Sequence, residues 1–140
     1  MKTLFIDSGY FIALASERDL YHERALTLLG EINKMREQNR ISFVTTRAVL
    51  IEVARHFSKP SVKQKGILLL DGIERDALVE VIPLSETLYR KGYQLFCERL
   101  DKKWSLCDCI SFVVMNERGI SDALAVDADF EQAGFTLLLK

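Results

Sequence analysis

The chain has 140 residues, of which 49% are hydrophobic and 28% are charged, and its 19 basic and 20 acidic residues give a formal net charge of −1. This composition is typical of a globular protein, and the length predicts one domain that spans residues 1–140. The near-zero charge excludes a strongly basic protein that wraps nucleic acid regardless of sequence. No apolar run approaches the ~20 residues of a membrane span.

The first half of the chain alternates strand and helix patterns. In chain order, the predicted elements are a strand at residues 3–6, helices at 10–15 and 21–36, a strand at 41–45, and two helices that begin at the N-caps Thr46 and Ser61 and run to about 57 and 76. Strands and helices that alternate in this way favour parallel strand pairing.

The second half continues the alternation. Its predicted elements are a strand at residues 78–82, helices from Ser85 to about 100 and from Ser105 to about 118, a C-cap at Gly119, a strand at 123–126, a helical turn at 130–133 and a strand at 135–139. The whole pattern predicts an α/β fold in which helices cover both faces of a parallel sheet.

The N-terminus and the cysteines indicate the cellular compartment. The apolar stretch before Asp7 is too short for a signal peptide. Three cysteines are an odd number, and their spacing matches neither a disulfide framework nor a zinc site. We therefore expect a cytoplasmic protein whose cysteines are packing residues.

Four acidic residues adjoin or interrupt apolar runs, where a carboxylate is costly. They are Asp7, Glu52, Asp108 and Asp127. A carboxylate removed from water needs a partner, a proton or a metal. Because the basic residues lie mostly elsewhere in the sequence, one shared cation explains all four acids more simply than four ion pairs. Mg²⁺ or Mn²⁺ is the expected ion, since hard divalent cations prefer oxygen ligands.

The predicted topology brings these acids to one edge of the sheet. Asp7 follows the first strand and Asp127 follows the fourth, and ligands of open parallel sheets bind beyond the C-terminal ends of the strands. Glu52 lies two turns into the helix after the second strand, and Asp108 lies in the first turn of the helix that leads to the fourth. A metal ion held there would activate water and stabilise charge on a phosphodiester.

Each acid also has a purely structural interpretation. Asp7 and Asp127 are each at the start of a helix and suit an N-cap, and Ser105-x-x-Asp108 suits a capping box. Glu52 discriminates between the interpretations, because it lies beyond the capping turn within an apolar run. Its structural alternative is an ion pair with Arg47 or Arg55.

Two other enzyme classes fit the sequence poorly. The chain has no glycine-rich phosphate loop with its lysine, which argues against an NTPase. Ser8 and Ser105 have no histidine at a plausible triad position, which argues against an acyl hydrolase. A phosphoacceptor at Asp7 is a third alternative, but the Asp-x-Asp of haloacid-dehalogenase-like enzymes is missing because residue 9 is glycine.

Taken together, four fragments of the sequence resemble the PIN-domain ribonucleases, especially the small VapC-like toxins. The fragments are Phe5-Ile6-Asp7-Ser8, Thr46 with Glu52-Val53, Ser105-Leu106-Cys107-Asp108-Cys109, and Asp127-Ala128-Asp129-Phe130 before Ala133-Gly134-Phe135. The resemblance covers essentially the whole chain. It implies a three-layer α/β/α sandwich with a five-stranded parallel sheet in the order 3-2-1-4-5.

The resemblance also implies an activity and a site. The activity is Mg²⁺- or Mn²⁺-dependent hydrolysis of RNA phosphodiester bonds by an endoribonuclease. Asp7 and Asp108 would contact the metal directly, and Glu52 and Asp127 would act through water or orient the nucleophile. Ser8 would donate a hydrogen bond to a ligating carboxylate, and Asp129 is a supporting acid or a solvent-facing one. Ala125 departs from many relatives, which have Thr or Ser there.

The expected partners are an RNA substrate, an antitoxin protein and a second copy of the chain. Candidate RNA-binding residues are Arg47, Arg55, Lys59, Lys102, Lys103 and Trp104, with a solvated loop and a buried Trp104 as the alternative. Apolar residues at 67–70 and around 89–96 would form a dimer or antitoxin surface, unless they belong to the core. The competing function is a catalytically weak PIN-fold module that binds RNA or protein.

Overall fold

The computed structural model describes residues 1–139, in which strands and helices alternate from end to end. The strands are β1 (Lys2–Ile6), β2 (Ile41–Thr46), β3 (Val79–Ile82), β4 (Asp122–Leu124) and β5 (Thr136–Leu137). The helices are α1 (Ser8–Ala15), α2 (His22–Glu37), α3 (Arg47–His56), α4 (Pro60–Arg75), α5 (Glu86–Glu98), α6 (Leu106–Arg118) and α7 (Asp129–Gln132). Within this part of the chain, no helix is both long and apolar enough to cross a membrane.

All five strands form one parallel sheet in the order β3-β2-β1-β4-β5, which confirms the predicted order. Phe5 of β1 lies between Val44 of β2 and Ala123 of β4. The chain moves outward from β1 to β3 and then crosses to β4, so the order reverses between β1 and β4. That reversal opens a crevice beyond the C-terminal ends of these two strands.

Helices cover the two faces of the sheet. Helix α1 packs against α2, α3 and α4, and α5 packs extensively against α6. The right-handed crossovers general to parallel sheets put the connections from β1 to β3 on one face and the connection from β3 to β4 on the other, in agreement with these helix contacts. The three-layer sandwich predicted from the sequence is therefore the observed architecture.

Aromatic rings fill the core beneath the β1–β4 crevice. Phe112 of α6 meets Phe130 of α7 edge to face at 4.9 Å between ring centroids, and Phe130 lies 6.3 Å from Phe5 of β1. Trp104 packs on the other side of Phe112 at 5.0 Å. These contacts fix α6 and α7 against the sheet, and with them the loops that carry acidic residues.

The serine and threonine N-caps predicted from the sequence are confirmed in all but one case, whereas α1 begins at Ser8, two residues before its predicted start. The Thr46 hydroxyl accepts a hydrogen bond from the backbone N–H of Val49, and the capping box of Ser105 and Asp108 is complete, as predicted. The prediction of Ser61 as an N-cap is wrong. The N-cap of α4 is Lys59, two residues earlier, and the helix begins at Pro60 because proline's fixed φ and missing N–H suit the first helical position.

The last two strands are shorter than predicted. β4 ends at Leu124 and β5 has two residues, whereas the apolar pattern predicted strands at 123–126 and 135–139. Apolar residues outside the hydrogen-bonded ladder, such as Ala125 and Leu139, are nonetheless buried. An apolar run therefore reports burial here rather than strand pairing.

Candidate active site

Asp7 lies at the end of β1, in the crevice. Its backbone N–H donates to the carbonyl of Leu124 at 3.1 Å, so the residue continues the pairing of β1 with β4. Its side chain makes no capping hydrogen bond to α1, and Oδ1 is buried without a hydrogen-bond partner. The N-cap interpretation of Asp7 is therefore wrong. The residue is 6% exposed.

Asp108 serves the start of α6 and the site at the same time. Its Oδ2 accepts the backbone N–H of Ser105 at 3.2 Å, and its own backbone N–H donates to the Ser105 hydroxyl at 3.0 Å. The residue is 8% exposed. The sequence offered the cap and the metal ligand as alternatives, and the geometry allows both, because the capping hydrogen bond engages one carboxylate oxygen.

Asp127 and Asp129 form a turn between β4 and α7. Asp127 Oδ1 accepts the backbone N–H of Asp129 at 2.9 Å, which orients the turn. Asp129 is only 2% exposed, so the solvent-facing alternative for this residue is wrong. Single carboxylate oxygens of Asp108, Asp127 and Asp129 lie within 4.8 Å of one another.

Glu52 is half-buried on α3 and faces the other acids. Its charge raises the pKa of both Asp7 and Asp108. The Cys107 thiol donates a hydrogen bond to the Glu52 carboxylate. The pKa of Cys107 is raised mainly by burial, and to a smaller extent by the charge of Glu52 and this hydrogen bond. Arg47 forms its ion pair with Glu74 instead. No ion pair of Glu52 occurs among residues 1–139, so the structural alternative that rested on Arg47 is wrong.

The electrostatics of the site are those of crowded negative charge. Burial, followed by the charges of Asp108 and Glu52, raises the pKa of Asp7 to about 8. Burial also raises the pKa of Asp108 to about 6, with further contributions from Asp127 and Glu52. A metal-free site therefore holds a proton on Asp7 at neutral pH.

Lys103 is the one cation bound at this cluster within the part of the chain that the structure describes. Its Nζ lies 3.1 Å from Asp129 Oδ2 and 4.0 Å from Asp127 Oδ1. The hydrogen bond to Asp129 raises the pKa of Lys103, as do the charges of Asp127, Asp129 and Asp108. One ammonium group balances only part of the charge of five acidic residues.

The donor set fits a hard divalent cation. Every acidic group of the site offers oxygen, and Oδ1 of Asp7 and Oδ1 of Asp129 are buried with no hydrogen-bond partner. Buried carboxylate oxygens of this kind are satisfied by a metal ion or a proton. The predicted contact from Ser8 involves its backbone N–H, which lowers the pKa of Asp7.

The candidate RNA-binding residues divide into groups. Arg55 and Lys59 are exposed, Arg47 is engaged by Glu74, and Lys102 is half-buried. Lys103 reaches into the acidic cluster, a contact that the sequence did not reveal. The prediction that Trp104 stacks on a base is wrong. Trp104 is 5% exposed, packs on Phe112, and is covered by the guanidinium group of Arg99 at 4.8 Å.

Comparison with known proteins gives a family and several relatives. The family model of the PIN domain matches residues 4–136. A curated relative, the 23S rRNA-specific endonuclease VapC20 of Mycobacterium tuberculosis, is 24% identical over 132 residues, which cover 94% of this chain and 95% of the relative.

Solved structures agree with the fold. The crystal structure of Mycobacterium tuberculosis VapC20, described as a Sarcin-Ricin loop cleaving toxin, superposes with a TM-score of 0.80 at 22% identity and covers 96% of this chain and 98% of that one. VapBC2 from Rickettsia felis, bound to a promoter DNA fragment, gives 0.65 at 14% identity with 97% of each chain covered. FitAcB from Neisseria gonorrhoeae gives 0.66 at 12% identity with 96% of each covered.

Proposed function

This chain belongs to the PIN-domain family, and we propose that it is a metal-dependent endoribonuclease that hydrolyses RNA phosphodiester bonds at its acidic site. The observation that carries the proposal is the group of carboxylate oxygens of Asp108, Asp127 and Asp129 within 4.8 Å of one another, beside which the charge of Glu52 raises the pKa of Asp7 and Asp108. Helix capping accounts for Asp108 alone, because Asp127 accepts a turn hydrogen bond from Asp129 and the N-cap of α7 is Ala128, without a side-chain cap. A shared cation accounts for all of these acidic residues.

The burial of each acidic residue indicates the role that we propose for it. Asp7 and Asp108, both buried, would hold Mg²⁺ or Mn²⁺ directly, and Asp127 would act through water. The bound ion would activate water and stabilise negative charge on the phosphate. Glu52 is less buried than Asp7 and Asp108, and it would orient the attacking water and accept its proton.

The substrate is RNA, and the relative that cuts 23S rRNA favours a structured ribosomal segment. The test incubates ribosomal RNA with the wild type and Glu52→Gln, each with Mn²⁺, Mg²⁺ or EDTA. Loss of a general base lowers the cleavage rate by about 10²–10⁴-fold. The matched control is Glu74→Gln, which removes an exposed glutamate of α4 that pairs with Arg47.

The outcomes separate the enzyme from a binding module. Metal-dependent cleavage that Glu52→Gln abolishes and Glu74→Gln preserves supports the proposal. RNA binding without cleavage in the wild type favours the module instead. Cleavage that persists in EDTA, or in Glu52→Gln, contradicts the site.

An antitoxin is the proposed protein partner, since two of the similar structures are complexes of the VapBC and FitAB type. An apolar groove between α1, α2 and α4 suits a partner segment. It has a volume of about 430 Å³, and Phe11, Leu29 and the exposed Leu68 are among its lining residues. Co-expression and purification with a short neighbouring reading frame tests this assignment.

A homodimer is the proposed assembly, and α5 offers a surface for it. Tyr89, Tyr93 and Phe96 form a row of stacked, exposed rings along this helix, with centroids 6.2 and 6.4 Å apart. Exposed apolar rows of this kind mark interfaces. Light scattering of the wild type and Tyr93→Glu measures the oligomeric state. A monomeric wild type would contradict the assignment.

A further inference from the structure

We propose that the ammonium group of Lys103 is a built-in cation of the acidic site, which occupies its Asp127–Asp129 side and limits each chain to one divalent ion. This inference rests on the proposed function only in taking the cluster as a metal site. It assigns to Lys103 a positioning role in place of the direct RNA contact expected from the sequence.

The contact is specific rather than a product of packing. The Lys103 side chain is 78% exposed, yet its Nζ lies 3.1 Å from a carboxylate that is 2% exposed. Exposed lysines gain little from a surface ion pair, because ordering the long side chain offsets the attraction. A buried carboxylate is a stronger partner, since without a cation it would be an uncompensated charge.

The loop that carries Lys103 is anchored on both sides. Arg99 donates two hydrogen bonds of 3.0 Å to Asp101, and its guanidinium group covers the ring of Trp104. Trp104, the next residue after Lys103, is buried against Phe112 of the core. The backbone at residue 103 is therefore held beside the site, and only the side chain has to reach the carboxylates.

The distribution of charge around the cluster determines how the contact between Lys103 and Asp129 affects metal binding. Across residues 1–139, no lysine or arginine other than Lys103 lies within 4.0 Å of the carboxylates of Asp7, Asp108, Asp127 or Asp129. Oδ1 of Asp7 and Oδ1 of Asp129 are both buried without a hydrogen-bond partner, but Asp129 has Lys103 at its other oxygen, whereas Asp7 forms no ion pair among residues 1–139. A divalent ion near Asp127 and Asp129 would meet the ammonium group and be repelled.

Mn²⁺ binding to the purified protein tests the proposal by calorimetry or electron paramagnetic resonance. The wild type is expected to bind one Mn²⁺ per chain. In Lys103→Gln, which removes the charge, the first ion should bind roughly tenfold more tightly and a second ion should follow, because the site loses a repelling charge a few ångströms away. Lys103→Arg keeps the charge and should retain one ion.

A matched control and a second readout separate charge from folding. Lys102→Gln changes the neighbouring lysine, which forms no ion pair with the cluster, and should bind Mn²⁺ as the wild type does. Thermal unfolding gives the second readout. Lys103→Gln should melt below the wild type in EDTA, where Asp129 is left without a cation, and Mn²⁺ should raise its melting temperature more than that of the wild type.

Each result decides the inference independently of RNA cleavage. Unchanged affinity and stoichiometry in Lys103→Gln, two ions in the wild type, or no Mn²⁺ binding at all would overturn it. If the wild type cleaves RNA while Lys103→Gln binds Mn²⁺ unchanged, only this inference fails. If Lys103→Gln behaves as expected while the wild type cleaves no RNA, the inference stands and the proposed function fails.

Discussion

Replacing Asp7 with asparagine should stabilise the metal-free protein, although it removes a proposed metal ligand. Burial and the neighbouring charges raise the pKa of Asp7 from 3.8 to about 8. In the unfolded chain the carboxyl group ionises near its ordinary value. Between about pH 4 and pH 8 the folded protein therefore binds one more proton than the unfolded chain, and stability falls as the pH rises through this range.

The size of the effect follows from the shift. At ~1.36 kcal/mol per pH unit, the shift from 3.8 to about 8 corresponds to at most ~6 kcal/mol lost by pH 8. Water that enters the crevice when Asp7 ionises reduces this loss, so we expect ~2–4 kcal/mol. Asparagine has the same shape and no charge, so Asp7→Asn should avoid the loss.

The assay is urea unfolding in EDTA at several pH values. Because burial raises the pKa of Asp108 only to about 6, the interval from pH 6 to pH 8 isolates Asp7. The wild type should lose stability across this interval, whereas Asp7→Asn should change little and exceed the wild type at pH 8. The control Asp71→Asn, on the exposed face of α4, should follow the wild type.

Metal should reverse the order of the two proteins. Saturating Mn²⁺ should raise the free energy of unfolding of the wild type and leave Asp7→Asn nearly unchanged, since ligands stabilise only the state that binds them. Parallel pH profiles of the wild type and Asp7→Asn in EDTA would refute the argument that Asp7 is buried among like charges.

Two further predictions concern packing and thiol reactivity. Gly92→Ala should lower the free energy of unfolding by ~1–3 kcal/mol, because a Cβ there would lie 2.5 Å from Cγ1 of Ile110. The control Gly30→Ala, in open space on α2, should be neutral or stabilising by ~0.5–1 kcal/mol. Equal effects of the two substitutions in urea unfolding would contradict the predicted clash at Gly92. Iodoacetamide at pH 8 should alkylate the exposed Cys97 at least ~10-fold faster than Cys107, because burial raises the pKa of the Cys107 thiol. Peptide mass mapping measures the two rates, and equal rates would contradict the burial of Cys107.

Local signals in the sequence account for most of the fold. The caps at Thr46 and Ser105 were predictable because a side chain and an amide three residues later decide them. Strand order followed from the resemblance to a family, since pairing between distant strands leaves no local mark. Ser61 was misassigned because Pro60 permits a helix to start without a side-chain cap.

Candidate site residues were predictable where an acidic residue interrupts an apolar run of the sequence. Glu52 interrupts an apolar run at a position where capping is impossible, and its charge raises the pKa of Asp7 and Asp108. The contact of Lys103 with Asp129 joins residues 26 positions apart, and no spacing rule connects them. The burial of Trp104 likewise depends on the ring of Phe112, a partner that local polarity around the tryptophan does not indicate.

The double use of Asp108 links loss of activity to loss of helix stability in this protein. Substitutions at Asp108 disrupt the first turn of α6 as well as the site, whereas substitutions at Glu52 leave every helix end intact. Copies of the gene that drift toward inactivity should therefore lose the glutamate early and keep the aspartate. A survey of decayed homologues in which both positions change equally often would show that the turn tolerates the loss.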